Sequence, residues 1–389
     1  MKAHTYHVKA GWRPWSFLYL ELSSGIYGWS EFTASNSLRK ALDIAIQELV
    51  ELCEVSDYIE IPHIIEDLRK KCRQSQGALT TKALSAIENA LWDMKARTLN
   101  TTVGCLLGSN PKPMPIYWSH FGTTRVRAAE HVHCRQIHEI SDLEEICDEA
   151  LKSGVRCVKT NLFMGGEFKH IYMPGFGRCN TRSTGLILGK RERELLKQWF
   201  DGIDRYLDQS IELAVDFNYN LSLGDLCDLS EMLPADRIAW LEIDSDEPEY
   251  LRHARTKISH RISTGENVCS SPHFMKLITG CLTDYIGIDM QWIGLSQARA
   301  IAAYAALYEI MISPHNFNGH LSSFMAATFA ASVPNLGYLE FDFDDVPWRD
   351  ELFTKVPVVC NGQLDISNGE LGWGTEPIHH RLDEYRYED

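Results

Sequence analysis

Between residues 211 and 315 short apolar runs recur, each ended by one acidic residue or a histidine. Ile-Glu-Leu-Ala-Val leads to Asp216, Ile-Ala-Trp-Leu to Glu242, Ile-Ser-Thr-Gly to Glu266, Tyr-Ile-Gly-Ile to Asp289 and Ile-Met-Ile-Ser-Pro to His315. The polar residues are 26, 24, 23 and 26 positions apart, about the length of a strand, a loop, a three-turn helix and the loop back. The pattern predicts five consecutive βα units of a parallel barrel, with every polar residue on the carboxyl-terminal rim where such barrels keep their chemistry. Carboxylates gathered there without Cys suit a hard cation, Mg²⁺ first and Mn²⁺ second. Each residue alone reads more readily as the N-cap of its following helix, but a shared period over five of them favours a common rim.

The first 112 residues are patterned differently. Residues 16–21 are β-rich, Ser24-Gly25 marks a turn and residues 26–29 form a second strand. Helical spacing covers 38–52, 61–71 and 80–99, the last with Ala83, Ile87, Ala90, Leu91 and Met94 on one stripe. Gly104 and the Gly- and Pro-containing stretch 108–113 end this α+β domain. The barrel domain, 113–340, starts with strands 114–118 and 155–159. It continues through an Ala-rich helix at 319–331 and closes with a strand at 335–340. Residues 162–188, rich in Gly, Arg, Tyr and Pro, are too long for a bare connection and predict a lid over the rim. Residues 341–389 are acidic and aromatic and too short for a third domain.

Composition narrows the class. With 44% hydrophobic and 23% charged residues the chain reads as soluble and globular, and a formal charge of −15 argues against nucleic-acid binding. Eleven Cys without a CxxC pattern suggest reduced thiols in a cytoplasm. The start lacks the apolar segment of a signal peptide, and no apolar run is long enough for a membrane span.

Asp216-Phe-Asn218, Glu242, Gly265-Glu266-Asn267, Asp289 with Gly294, and Ser313-Pro314-His315-Asn316 resemble the mandelate racemase-like branch of the enolase superfamily. Gly28-Trp29-Ser30-Glu31, Ala83 to Ile87, Ala90 to Asp93 and Gly372-Trp373-Gly374 extend the resemblance over almost the whole chain. It implies a TIM-type (β/α)7β barrel with an N-terminal α+β capping domain, on which the C-terminal segment packs back. It implies Mg²⁺ held by Asp216, Glu242 and Glu266. It implies a dyad in which Asp289 fixes the tautomer of His315 as general base. Glu340 falls where the family places a protonated carboxyl group, which an anionic site would help keep neutral.

Lys159 is the sequence-visible cation for this anionic site, and strand alternation points it the same way as Asn161. Family members that exchange protons on both faces of a carbon carry Lys-x-Lys on the second strand. Here the stretch is Lys159-Thr160-Asn161, so the usual second base is absent. Asn218 and Asn267 adjoin ligand positions, and Arg13, Trp15, His120, Tyr172 and Arg178 are further candidate substrate contacts. His320 reads as structural.

The resemblance with one base implies a Mg²⁺-dependent sugar-acid dehydratase that converts an aldonate or aldarate to a 2-keto-3-deoxy acid, expected as a homo-oligomer. A cycloisomerase or epimerase using the same enediolate stays open. So does a catalytically silent sugar-acid-binding barrel, although such a barrel would have no need of a general base.

Overall fold

The computed structural model describes residues 1–33, 38–53, 59–109, 112–161, 188–218, 221–245 and 247–387. The chain opens with an antiparallel meander of β1 (Lys2–Ala10), β2 (Arg13–Glu21) and β3 (Tyr27–Glu31). Strand β1, unmarked in the reading above, pairs with β2 along its whole length from Lys2↔Glu21 to Ala10↔Arg13. Strand β2 alternates poorly in polarity because both of its faces are buried. Leu18 and Leu20 join the helices α1 (Arg39–Glu51), α2 (Ile61–Lys71) and α3 (Ala78–Thr98) in one core, while Trp15 and Phe17 face the other.

The barrel strands are β4 (Met114–Trp118), β5 (Cys157–Asn161), β6 (Glu212–Asp216), β7 (Ile238–Glu242), β8 (Ile262–Thr264), β9 (Tyr285–Ile286), β10 (Met311–Ile312) and β11 (Leu339–Phe341). Neighbours from β4 to β10 pair in parallel, β11 pairs with β4, and a bridge from Ile312 to Leu336 completes the ring. Helices between successive strands make this the (β/α)7β barrel that the sequence implied. Tyr117, Trp240, Tyr285 and Tyr338 pack inside it and fill the floor beneath the rim. Among the described residues no helix is long and apolar enough to cross a membrane.

Capping domain and barrel are joined by hydrogen bonds from buried polar side chains. Glu31 accepts the backbone N–H groups of Gly319 (2.8 Å) and Ser322 (2.9 Å), so a carboxylate sits at the start of the helix His320–Ala331, the end that favours negative charge. On α3, Asn89 accepts Leu295 N–H and Glu88 accepts Ser296 N–H, which caps the helix Leu295–Ala306. These bonds fix α3 beside the part of the rim that carries Asp289 and His315.

The C-terminal segment meets both domains, where only the capping domain was expected. Strands β12 (Val358–Cys360) and β13 (Gln363–Asp365) form a hairpin whose Asn361-Gly362 turn has φ of 48° and 67° at its two central residues. That is the hairpin turn which Asn-Gly favours. Strand β13 extends the sheet antiparallel to β4. The chain then crosses to α3, where Asp93 accepts N–H from Trp29 (2.9 Å) and Trp373 (2.7 Å) and pairs with Arg97 (2.7 Å). Gly372, at φ +70°, lies so close to this carboxylate that any Cβ would run into it. Replacing Asp93 by Ala is expected to cost about 3 kcal/mol, because it leaves two buried N–H groups without an acceptor and takes from Arg97 the nearer of its two carboxylates, the other being Glu376 at 2.9 Å. Urea denaturation followed by circular dichroism measures this.

Candidate functional site

The strand ends bring the periodic residues together. Asn161, Asp216 and Glu242 are the last residues of β5, β6 and β7 and stand opposite one another in register. Glu266, Asp289 and His315 follow β8, β9 and β10 by two or three residues, and Glu340 lies within β11. Lys159 projects from β5 into the middle, its ammonium donating to Glu242 Oε1 at 2.9 Å, with Glu340 at 3.4 Å and Asp216 at 3.8 Å. Burial works against its charge, but Glu242, Glu340 and Asp216 hold its pKa well above the ordinary value. Lys159 is therefore an ammonium group, as a partner for developing negative charge would be.

His315 Nδ1 and Asp289 Oδ2 are 2.9 Å apart, while Nε2 faces Glu266 at 3.5 Å and Glu340 at 3.9 Å. The imidazole is held between Trp292, at 5.4 Å between ring centroids, and Phe317, at 5.1 Å. Burial would lower its pKa, but Glu266, Glu340 and Asp289 raise it to about 10, above the value near 7 that suits a base in neutral solution.

Glu340 departs from the neutral acid expected. It accepts from the Ser119 hydroxyl and from Asn316 N–H. Burial would raise its pKa, but Lys159, His315 and His120 hold it at about 2, so the carboxyl is ionised. The correction has a simple cause: cations stand nearer to Glu340 than the rim's average charge suggests.

Among the described residues, Glu242, Asp244 and Glu266 each offer a carboxylate oxygen within 4.8 Å of the others. This hard-oxygen set fits Mg²⁺ or Mn²⁺. Two of the three expected ligands are in it. Asp216 stands beside the group with Oδ1 accepting Asn218 N–H (2.7 Å) and Oδ2 accepting Asn161 Nδ2 (2.9 Å). Burial and Glu242 raise the Asp216 pKa well above the carboxylate range. Asp244 lies outside the strand-end period, and its signal is in Leu241-Glu242-Ile243-Asp244: two residues apart, both carboxylates share one parity of the strand. Trp292, three residues after Asp289, adds an aromatic wall to the site that the period does not mark.

The expected substrate contacts divide. Asn161 and Asn267 reach the carboxylates with their side-chain amides, Asn267 Nδ2 donating to Glu266 Oε1 at 2.9 Å, and Asn218 does so through its backbone N–H. Such donors orient ligand carboxylates. His120 lies at the rim, paired with Asp342 at 2.9 Å and edge-on to Phe317. Arg13 and Trp15 are corrected. They belong to β2, where Arg13 is buried and pairs with Asp345 (2.8 Å) and the Phe317 carbonyl (2.7 Å). Trp15 is wholly buried against Trp348. Trp15 lies in the core, and Arg13 uses Nη2 for both of its partners, while its Nε and Nη1 have no hydrogen-bond partner among the described residues. Tyr172, Arg178 and residues 162–187 of the expected lid lie outside the described residues. Leu188 is buried, its N–H on Asp225. His320 is structural, bound to Asp350 at 2.7 Å, and burial lowers its pKa to about 4.

The barrel carries carboxylates at the ends of three successive strands and a His-Asp pair across the rim, and sequence comparison gives its family. Residues 8–108 match the family described as Mandelate racemase / muconate lactonizing enzyme, N-terminal domain, and residues 189–381 match Enolase C-terminal domain-like. The chain belongs to the enolase superfamily, in its mandelate racemase-like branch. It is 30% identical to a putative L-alanine-DL-glutamate epimerase from Burkholderia xenovorans strain LB400, solved bound to magnesium and fumarate. The TM-score is 0.93, over 100% of this chain and 96% of that one. A D-mannonate dehydratase of Sphingomonas sp. (strain SKA58) is 24% identical over 346 residues, 87% of this chain and 83% of the relative. A D-xylonate dehydratase of Haloferax volcanii is 22% identical over 360 residues, 91% of this chain and 81% of the relative.

Proposed function

We propose that the protein is a divalent-metal-dependent dehydratase of a sugar acid, an aldonate or aldarate. Water is lost across the α- and β-carbons and a 2-keto-3-deoxy acid results. The observation that carries this reading is the asymmetry of the proton-transfer groups. His315, oriented by Asp289, presents Nε2 to the rim, whereas Lys159 on the second strand is bound to Glu242 and Glu340 as an ammonium. The position that would supply another lysine is Asn161, whose amide is spent on Asp216.

Glu242 and Glu266, with Asp216 on the adjoining strand end, are the residues we assign to Mg²⁺. When bound there, such a cation supplies Lewis acidity to the substrate carboxylate and offsets the carboxylate field that keeps His315 protonated. The residues' own work is distinct. His315 takes the α-proton, and negative charge grows on the substrate's carboxylate as an enediolate. Lys159 is the ammonium that faces this charge. The same imidazole then returns the proton to the departing β-hydroxyl, which leaves as water, and the enol product tautomerises to the keto acid. One base serves both transfers. Trp292 and Phe317 hold the ring so that little orientation is lost between them.

A second reading, epimerisation of an acid through the same enediolate, is favoured by the name of the structural relative at 30% identity. Epimerisation needs a base on each face of the carbon, and Lys159 would have to lose its proton among carboxylates. Proton NMR in D₂O with a panel of aldonates and aldarates separates the two. Keto-acid formation is the expected result, and deuterium at the α-carbon of an epimer without keto acid would overturn the dehydratase reading. Asn161→Ala should lower divalent-ion affinity roughly ten- to a hundredfold by releasing Asp216, read by titration calorimetry.

A further inference from the structure

We infer that Asp244 is a direct ligand of the divalent cation, making the metal centre of this chain a four-carboxylate site with Asp216, Glu242 and Glu266. The inference rests on the metal-dependent reading above and adds to it a residue that the strand-end pattern does not include.

The local fold aims Asp244 inward. The parallel ladder runs one residue past β7, since Ile243 N–H donates to the Ser263 carbonyl at 2.9 Å. Alternation therefore persists to position 244, and Asp244 lies on the same side as Trp240 and Glu242. Trp240 in turn donates its indole N–H to Glu242 Oε2 at 3.2 Å, steadying that carboxylate from below. Ser245 N–H then turns back onto the Ile243 carbonyl at 2.8 Å, which closes the backbone just beyond Asp244.

Asp244 is only 5% exposed, and its Oδ1 has no hydrogen-bond partner among the described residues. No lysine, arginine or histidine forms a salt bridge with it among these residues. Its near neighbours are instead Glu242 and Glu266, with oxygens inside 4.8 Å. A buried carboxylate oxygen that lacks both donor and counter-ion is costly. Placing it against two more carboxylates raises that cost. One bound cation relieves all of these penalties together. The contrast with Asp216 sharpens the point, because both Asp216 oxygens already have donors.

Four carboxylates leave a six-coordinate ion two positions, enough for a chelating substrate carboxylate. The Lys159 ammonium, 2.9 Å from Glu242 and 3.8 Å from Asp216, offsets part of the extra negative charge. A ligand that the strand period omits would thus complete a closed, strongly anionic cradle.

The test uses the full chain and Mn²⁺ as the probe. Electron paramagnetic resonance titration gives affinity, and deuterium spin-echo modulation in D₂O counts the waters on the bound ion. Asp244→Ala is expected to weaken Mn²⁺ binding at least about tenfold and to add one coordinated water. Asp244→Asn should weaken binding in the same sense and keep the side-chain shape. An unchanged water count in Asp244→Ala overturns the inference even if affinity falls, since a charge acting from a distance does not free a coordination position. If Asp244→Ala does not fold, wild-type Mn²⁺ affinity in Asp244→Asn overturns it. A wild-type protein that binds no Mn²⁺ removes the metal reading and this inference together. Wild-type binding with unaltered Asp244 variants removes Asp244 alone.

Discussion

His315→Asn is expected to lower keto-acid formation by about a thousandfold or more, with divalent-ion affinity and the circular dichroism spectrum unchanged. The magnitude follows from the ring doing two proton transfers, since general acid-base groups contribute roughly 10²- to 10⁴-fold each. Asn keeps a polar group near Asp289 but cannot accept the α-proton. Asp289→Asn should fall in the same direction, because the 2.9 Å contact to Nδ1 sets which nitrogen faces the rim. Keto-acid assays at saturating substrate, beside Mn²⁺ titrations of the same samples, separate loss of the base from loss of the metal. Residual activity of His315→Asn above a tenth of the wild type would assign proton abstraction to another group.

Glu242→Gln is the second large effect, expected to bring turnover below detection and to remove metal-induced stabilisation. Glu242 is where three networks meet: the Lys159 ammonium at 2.9 Å, the Trp240 indole at 3.2 Å and the carboxylate group with Asp244 and Glu266. The amide has a similar shape, so loss of fold is not the expected route. A ligand at a hundred times its Kd stabilises the folded state by about 2.7 kcal/mol. The wild type should therefore melt several degrees higher with saturating Mg²⁺ than with a chelator, and Glu242→Gln should show little difference. Equal metal-induced shifts in both proteins would remove Glu242 from the centre.

The barrel and much of its rim were legible because both depend on a local rule repeated many times. A strand buried inside a parallel sheet is apolar until its end, and the first polar residue afterwards marks the rim. The same rule failed where a strand does not behave that way. Strand β1, with residues such as His4, His7 and Lys9, borders the sheet and mixes polar with apolar residues, so its period carried little weight. The β12–β13 hairpin had a strong signal in Asn361-Gly362, masked by the shortness of its two three-residue strands.

Charge was less legible than position. From the sequence, Glu340 shared a rim with several carboxylates and read as a neutral acid. In space it lies 3.4 Å from Lys159 and 3.9 Å from His315, and pairwise distance outweighs the net charge of a region. Arg13 looked available beside two tryptophans, yet Asp345, 332 positions away, takes its guanidinium. Nothing in the local sequence reports such a partner.

The sequence by itself determined the order of the strands, the rim on which the polar residues end and the absence of a second lysine at position 161. These follow from alternation and period, properties of neighbouring residues. Only the tertiary structure decided which carboxylates come within reach of one ion, that Lys159 is the cation between Glu242 and Glu340, and that Asp244 belongs to the same group. Those relations join side chains from different strands across the barrel. They depend on strand stagger and tilt, which closure of the barrel fixes and no single segment encodes.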